Sequence, residues 1–205
     1  MKDLIQKKHH PWKLDAAQVV QYGLGGVLTP SRAWWEYADF ADRQLSFVSL
    51  TADVVLSVLV CEDLARPDPV ANIVRAVGPN LVIALLMDGP QTRERWAARY
   101  ATVLADDPGC SVLSLTSLGM SNLSRPQSGP NRSRVIAMWK DAISGAATEI
   151  EMPLQCDAIA LSLSIQYREE FTADGRGDGS NAAFPILSGL HPIARVRKSS
   201  KRTRK

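Results

Sequence analysis

The stretch "VVLSVLVCEDLARPDPVANIVRAV", residues 54–77, carries the pattern that decides the fold. It begins with a short, β-branched apolar run that is typical of a buried strand. It continues through Cys-Glu-Asp at 61–63 into a turn marked by prolines, and the apolar spacing that follows predicts a helix over 68–77. A strand that leads through a turn into a helix is the first unit of a layered α/β sheet.

The same alternation of strand and helix extends on both sides of this unit. Residues 45–50 alternate in polarity and predict a strand before it. After it, "LVIALLM" (81–87) and "CSVLSLTSLGM" (110–120) predict two more strands, separated by an amphipathic helix over 89–107. The order favours an α/β fold in which the strands are buried on both faces.

The remaining segments give weaker patterns. Residues 29–43 suggest a short helix, because Thr29 or Ser31 is suited to the N-cap and Pro30 to the first turn. Polar residues with Pro and Gly predict loops over 121–133 and 171–184. Antiparallel strands are predicted between these loops, at 134–140, 147–153 and 157–165.

Composition restricts the class of protein. The 205 residues are 45% hydrophobic and 22% charged, which is globular composition and enough chain for one domain. No apolar run approaches the roughly 20 residues of a membrane span. The segment 1–10 is polar and has no apolar signal core, so we expect a cytoplasmic protein without membrane contact.

The number and spacing of the cysteines and the distribution of charge restrict which ligands and partners the chain is expected to bind. The three cysteines are far apart and form no CxxC pair, so we expect no disulfide framework, no metal site and no cofactor. The net charge is +3, but residues 194–205 hold seven basic side chains, which leaves the body at 3 − 7 = −4. We expect a solvated, disordered basic tail, with weak nucleic-acid contact through it as the alternative.

Cys61 is the cysteine with a placement suited to catalysis. It follows a buried strand immediately before a turn, which is where open α/β sheets bind their ligands. A nucleophilic thiol also needs a base or a cation nearby. Cys110 and Cys156 lack the proline-marked turn that follows Cys61. The alternative is that all three are small buried hydrophobic residues.

Three stretches together resemble the nitrilase, or carbon–nitrogen hydrolase, superfamily. "VLSVLVCEDLARPDPVANIVRAVGPNLVIAL" is similar to its nucleophile region: an apolar strand, Cys, a variable residue, Asp and a segment with Pro. "RWAARYATVLADDPGCSVLSLTSLGM" and "RVIAMWKDAISGAATEIEM" resemble a later helix–strand unit and a late hairpin. The resemblance covers roughly residues 5–165 and implies a nitrilase-like α-β-β-α sandwich layer with a mixed sheet.

The resemblance also implies roles for particular residues. The family uses a Glu–Lys–Cys triad, in which Cys attacks and Lys stabilises the developing negative charge together with a backbone N–H. Cys61 matches the nucleophile, and the backbone N–H is that of Glu62. Within "KKHHPW" (7–12), Lys8 is our choice for the lysine, with Lys7 and Lys13 as rivals.

A further family glutamate positions the lysine, and the resemblance assigns that role to Glu36 in "WWEYADF". The alternative for these charged residues is that they are simply solvated. The base glutamate of the family precedes its lysine, whereas the acid that precedes Lys8 here is Asp3. We therefore expect a nitrilase-like domain over 1–190 that is incomplete at its N-terminus, followed by the basic tail at 191–205.

Two functions follow as hypotheses. The first is a cysteine-dependent hydrolase that cleaves a non-peptide C–N bond of a small amide or nitrile through a thioester, as a fragment in which the family's general-base glutamate is expected to be missing. It is expected to form homo-oligomers through the helices at 68–77 and 91–104. The second is a non-catalytic, nitrilase-like interaction module, such as the C-terminal piece of a bacterial defence reverse transcriptase.

Overall fold

The computed structural model describes residues 4–39, 41, 43–124 and 133–194. Its N-terminal segment is mostly irregular, but it contains a small antiparallel ladder between two short strands, in which Lys13 faces Trp35 and Leu14 faces Trp34. A short helix between these strands begins with a capping box formed by Asp15 and Gln18. These elements are β1 (Lys13–Leu14), α1 (Ala16–Gln21) and β2 (Trp34–Trp35).

A six-stranded mixed sheet forms the centre of the fold, with its strands in sequential order. The second, third and fourth strands run parallel, the first and fifth are antiparallel to them, and the sixth is antiparallel to the fifth. The protein therefore has a mixed α/β fold, as the sequence predicts. The strands are β3 (Phe47–Thr51), β4 (Val54–Val60), β5 (Leu81–Leu85), β6 (Ser111–Leu115), β7 (Val135–Lys140) and β8 (Ala147–Glu151).

Helices cover one face of this sheet. A 3₁₀ turn (Cys61–Ala65) and a π-helical turn (Pro67–Ala71) lead into α2 (Asn72–Val77), and α3 (Trp96–Asp106) connects β5 to β6. Val70, Val74, Ala101 and Leu104 pack from this layer onto Val82 and Val112 of the sheet. The helix predicted over 68–77 becomes regular only at its second half, because Asp68 has extended backbone angles.

A long β-hairpin covers the opposite face. Its strands are β9 (Cys156–Phe171) and β10 (Gly177–Ala194), paired antiparallel. Ile159, Leu161 and Ile165 of the hairpin pack against Leu113 and Trp139 of the sheet. Alternation along the central strands explains both layers, since Val112 faces the helices while its neighbour Leu113 faces the hairpin.

The hairpin corrects two predictions. The loop predicted over 171–184 is wrong, because the turn occupies 172–176 and the chain from Gly177 onward is strand. Gly175 takes positive φ in that turn, and the hydrogen bonds of the ladder outweigh the local preference of a Gly- and Asp-rich segment for loop. The strand also includes residues 191–194, which we had assigned to the tail; residues 195–205 lie outside the described residues.

Two further segments differ from prediction. The helix predicted over 29–43 is absent from its described residues, because Trp34 and Trp35 pair with the strand at 13–14. The strand predicted over 110–120 ends at Leu115, and α4 (Leu118–Leu123) follows it. The Ser117 hydroxyl begins that helix by accepting a hydrogen bond from the N–H of Met120.

The part of the chain that the structure describes contains no helix long and apolar enough to cross a membrane.

Candidate active site

The carboxyl ends of the parallel strands open into a cavity of about 480 Å³. Val60, Leu85 and Leu115 are the last residues of β4, β5 and β6, and all three line it. Much of the remaining lining comes from the N-terminal segment. The lining side chains are Lys8, Trp12, Leu14, Leu24, Leu28, Trp34, Trp35, Glu36, Val60, Cys61, Leu85, Leu86, Met87, Leu115, Thr116 and Ser117.

Cys61 lies where β4 ends and the 3₁₀ turn begins, as the first residue of that turn. Its side chain is nearly buried, at 8% exposure, and it lines the cavity. Its backbone has φ of +53°, in the left-handed region that residues with a Cβ rarely adopt. Such strained residues cluster at functional sites, where the surrounding structure holds them in place.

Lys8 and Glu36 form an ion pair in the wall of the same cavity. The Lys8 side chain is only 12% exposed, and the Glu36 carboxylate also accepts a hydrogen bond of 3.1 Å from the backbone N–H of Trp12. The structure thus brings Cys61, Lys8 and Glu36 to one cavity. Their spacing in sequence gives no hint of this, since the ion pair joins residues 28 positions apart.

The rival lysines have different surroundings. Lys7 Nζ lies 2.9 Å from the carboxylate of Asp39, in a surface ion pair. Lys13 Nζ lies 5.6 Å from the centroid of the Trp35 ring, in a cation–π arrangement. Neither belongs to the lining of the cavity, so Lys8 is the lysine of the three that shares a site with Cys61.

Opposing effects act on the Cys61 thiol. Burial is the largest and raises its pKa above the ordinary value, because a thiolate is poorly solvated there. The positive charge of Lys8 opposes that rise, and hydrogen bonding by the backbone of Met87 also favours the thiolate. The thiol is therefore protonated at neutral pH and needs a base during attack, and Lys8 is the side chain that makes its ionisation easier.

Asp63 fixes the segment that carries Lys8. Its carboxylate is 1% exposed and accepts hydrogen bonds from the backbone N–H groups of His9, at 3.0 Å, and His10, at 2.9 Å. His10 Nδ1 lies 2.9 Å from the same carboxylate. Asp63 thus joins the turn after Cys61 to the residues next to Lys8.

A second cavity of about 370 Å³ also reaches Cys61. Asp88 is part of its wall, paired with Arg95 and accepting a 2.7 Å hydrogen bond from the indole N–H of Trp96. Gln18, Glu62 and Tyr100 contribute further polar groups. Cys61 therefore borders one cavity that is mostly apolar and another that is mostly polar.

The other cysteines have no comparable site. Cys110 is fully buried in front of β6, and burial raises its pKa to about 12. Cys156 is half-buried at the start of β9, and neither thiol forms a disulfide. Within the described ranges, no group of three or more His, Cys, Asp or Glu side chains is arranged to hold a metal ion.

Sequence reasoning did not anticipate the tryptophans of the cavity or the contacts of Asp63. The unusual density of Trp and Leu between residues 12 and 35 is the sequence feature that could have indicated the tryptophans of the cavity. No protein-family model matches the chain, and no curated protein matches it. Inference about function therefore depends on the geometry of this site.

Proposed function

We propose that the protein is a cysteine-dependent hydrolase that cleaves the C–N bond of a small amide or nitrile through a thioester. The observation that carries this proposal is the convergence of Cys61, Lys8 and Glu36 on one cavity. That cavity lies at the carboxyl ends of parallel strands, the usual ligand edge of such sheets. The left-handed backbone of Cys61 adds independent support.

The chemistry divides into two steps. Cys61 Sγ bonds to the carbonyl carbon of an amide while its proton passes to a base, and the C–N bond then breaks as the amine leaves with a proton. A nitrile instead takes up the thiol to give a thioimidate, which adds water and releases ammonia to reach the same thioester. Water attacks the thioester, releases the acid and restores the thiol. Lys8 and the backbone N–H of Glu62 stabilise the oxyanion of each step. Among the described residues that line the cavity, Glu36 carries the carboxylate. We therefore assign two roles to Glu36: it positions Lys8, and it accepts the proton of the Cys61 thiol.

We assign the architecture, as part of the same proposal, to a nitrilase-like α-β-β-α layer. The supporting features are the mixed sheet, the helices on one of its faces and the cysteine that follows a central parallel strand. In that arrangement the hairpin of β9 and β10 occupies the face opposite the helices.

The outer surface of the helical layer supports self-association. Ile73 and Val77 on α2 are exposed, as are Tyr100 and Val103 on α3. A partner's surface that covers these side chains would remove their apolar area from water. We propose that two copies of the chain associate through α2 and α3, which are the helices that the sequence indicates for this role.

Amine release from a panel of simple amides and nitriles tests the catalytic proposal. The wild type is expected to release ammonia or amine, and Cys61→Ala is expected to reduce the rate to that of the uncatalysed reaction. A Cys110→Ala variant serves as the control and should keep the wild-type rate if it remains folded. Equal rates for the wild type and Cys61→Ala would exclude the proposal and favour a non-catalytic interaction module.

A further inference from the structure

The segment between Lys8 and Glu36 gives the cavity a marked apolar character. Trp12, Leu14, Leu24, Leu28 and Trp34 all belong to this segment and all line the cavity. The resemblance that assigns Lys8 and Glu36 their roles gives no role to these residues. They are nevertheless the side chains that face whatever group lies beside the Cys61 thiol.

The sheet contributes a second apolar surface to the same cavity. Leu85, Leu86, Met87 and Leu115 come from the ends of β5 and β6 and from the residues that follow them. Among the described lining residues, the charged side chains are Lys8 and Glu36, and these pair with each other. A ligand in this cavity therefore meets hydrocarbon and indole surface, with its polar contacts concentrated around the Lys8–Glu36 pair and Cys61.

This distribution discriminates between acyl groups. A polar acyl group, such as one with its own ammonium and carboxylate, loses its hydration here without gaining matching partners, which is costly. An uncharged apolar acyl group gains from the transfer of its surface out of water. A volume of about 480 Å³ is within the usual range for small-molecule sites, so the cavity has space for a chain of several carbons.

We infer that the substrate is an amide or nitrile of an apolar acid, whose acyl chain lies in this cavity against Trp12, Leu28 and Trp34. The inference rests on the proposed function, because it takes Cys61 Sγ as the atom that attacks the amide carbonyl carbon or the nitrile carbon. The segment between Lys8 and Glu36 then determines the specificity of the site.

The test measures binding separately from chemistry. Butanamide, hexanamide and octanamide are titrated into Cys61→Ala, and tryptophan fluorescence reports their affinity. We expect affinity to rise about fourfold for each added methylene. When Leu28→Gln is combined with Cys61→Ala, the dependence of affinity on chain length should become weaker. Val27→Gln is the matched control, because Val27 is adjacent, 86% exposed and not part of the lining; it should leave the dependence intact.

The outcomes separate this inference from the proposed function. Affinity that is independent of chain length overturns the inference, and acylation of wild-type Cys61 by a short acyl donor would still support the hydrolase. Affinity that rises with chain length, with the same slope in Leu28→Gln and Val27→Gln, also overturns it, because the chain then lies elsewhere. A third outcome is that affinity rises with chain length as expected, but wild-type Cys61 is never acylated. That outcome overturns the proposed hydrolase, and with it the assignment of the bound group as an acyl chain.

Discussion

At the scale of the residue, the site depends on a small number of long-range contacts around Cys61. The thiol lies in a left-handed turn, Lys8 favours its ionised form, and Glu36 pairs with Lys8. Asp63 holds the turn and the segment that carries Lys8 together. These contacts make separate predictions for reactivity and for stability.

Removing the charge of Lys8 should make the Cys61 thiol harder to ionise. Lys8 lowers a pKa that burial raises, so in Lys8→Met the pKa rises further and the thiolate fraction at any pH below it falls. The rate of alkylation by iodoacetamide, followed for the Cys61 peptide by mass spectrometry, should therefore reach its midpoint at higher pH. Lys7→Met is the matched control, since Lys7 pairs with Asp39 at the surface. An equal shift in both variants would contradict the assignment of Lys8.

Asp63→Asn should destabilise the fold. The amide keeps the shape of the carboxylate but offers one oxygen where two now accept from the backbone of His9 and His10. Hydrogen bonds to charged groups contribute about 1.5–3 kcal/mol each, so we expect a loss of roughly 2 kcal/mol in the free energy of unfolding in urea. Asp39→Asn removes a solvent-screened ion pair at the surface and should cost much less than Asp63→Asn. Equal losses in the two variants would show that Asp63 does not anchor the segment.

At the scale of the element, strand-to-helix order is readable from sequence and long-range pairing is not. Val54–Val60 and Leu81–Leu85 are strands in the structure because short β-branched runs are buried on both faces. Trp34 and Trp35 suit a helix locally, but they pair with residues 13 and 14 far along the chain. The strand from Gly177 is equally dependent on its partner.

The candidate site shows the same difference between local patterns, which the sequence reveals, and long-range contacts, which it does not. Cys61 is identifiable from sequence because a thiol after a buried strand and before a turn is a local pattern. The roles of Lys8 and Glu36 came from resemblance, and no local pattern places them beside Cys61. Asp63 was missed as an anchor because its partners are 53 and 54 residues away.

The hairpin of β9 and β10 should contribute to stability through its inner face. Ile165 packs against the sheet, whereas its neighbour Ser164 is exposed. In Ile165→Asn, lost apolar burial and a poorly solvated amide should reduce the free energy of unfolding by roughly 1–2 kcal/mol. Ser164→Asn should change it by less than about 0.5 kcal/mol. Chemical denaturation of both variants measures these changes in the free energy of unfolding. Indistinguishable midpoints would mean that the hairpin does not pack against the sheet as described.

At the scale of the whole molecule, the sheet separates two apolar layers, and the site opens at one edge of it. The helical layer leaves Ile73, Val77, Tyr100 and Val103 exposed at its outer surface. The cavity lined by Lys8, Glu36 and Cys61 lies at the ends of the strands rather than on that surface. Tyr100 also lines the second cavity, so association through the helices leaves Cys61 accessible from the apolar cavity, whose lining includes none of these four residues.

Sedimentation of the purified chain should detect a dimer, because a partner's helices would cover the exposed apolar side chains of α2 and α3. The monomer has a mass of 22.4 kDa, so a species of twice that mass is expected at micromolar concentration. Val103→Glu should shift the equilibrium toward monomer, whereas Val20→Glu, on the exposed side of α1, should not. A monodisperse wild-type monomer would contradict the proposed association.

The central claim, that Cys61 is a nucleophile assisted by Lys8, is tested most directly by trapping the acyl-enzyme. The protein is mixed with p-nitrophenyl butanoate, quenched in acid at short times and measured by intact-mass and peptide mass spectrometry. We predict one butanoyl group per chain, attached to Cys61, which forms more slowly in Lys8→Met and decays as the thioester is hydrolysed. Butanoylation at Cys156 in place of Cys61, or acylation of Cys61 at the same rate in Lys8→Met, would contradict the claim.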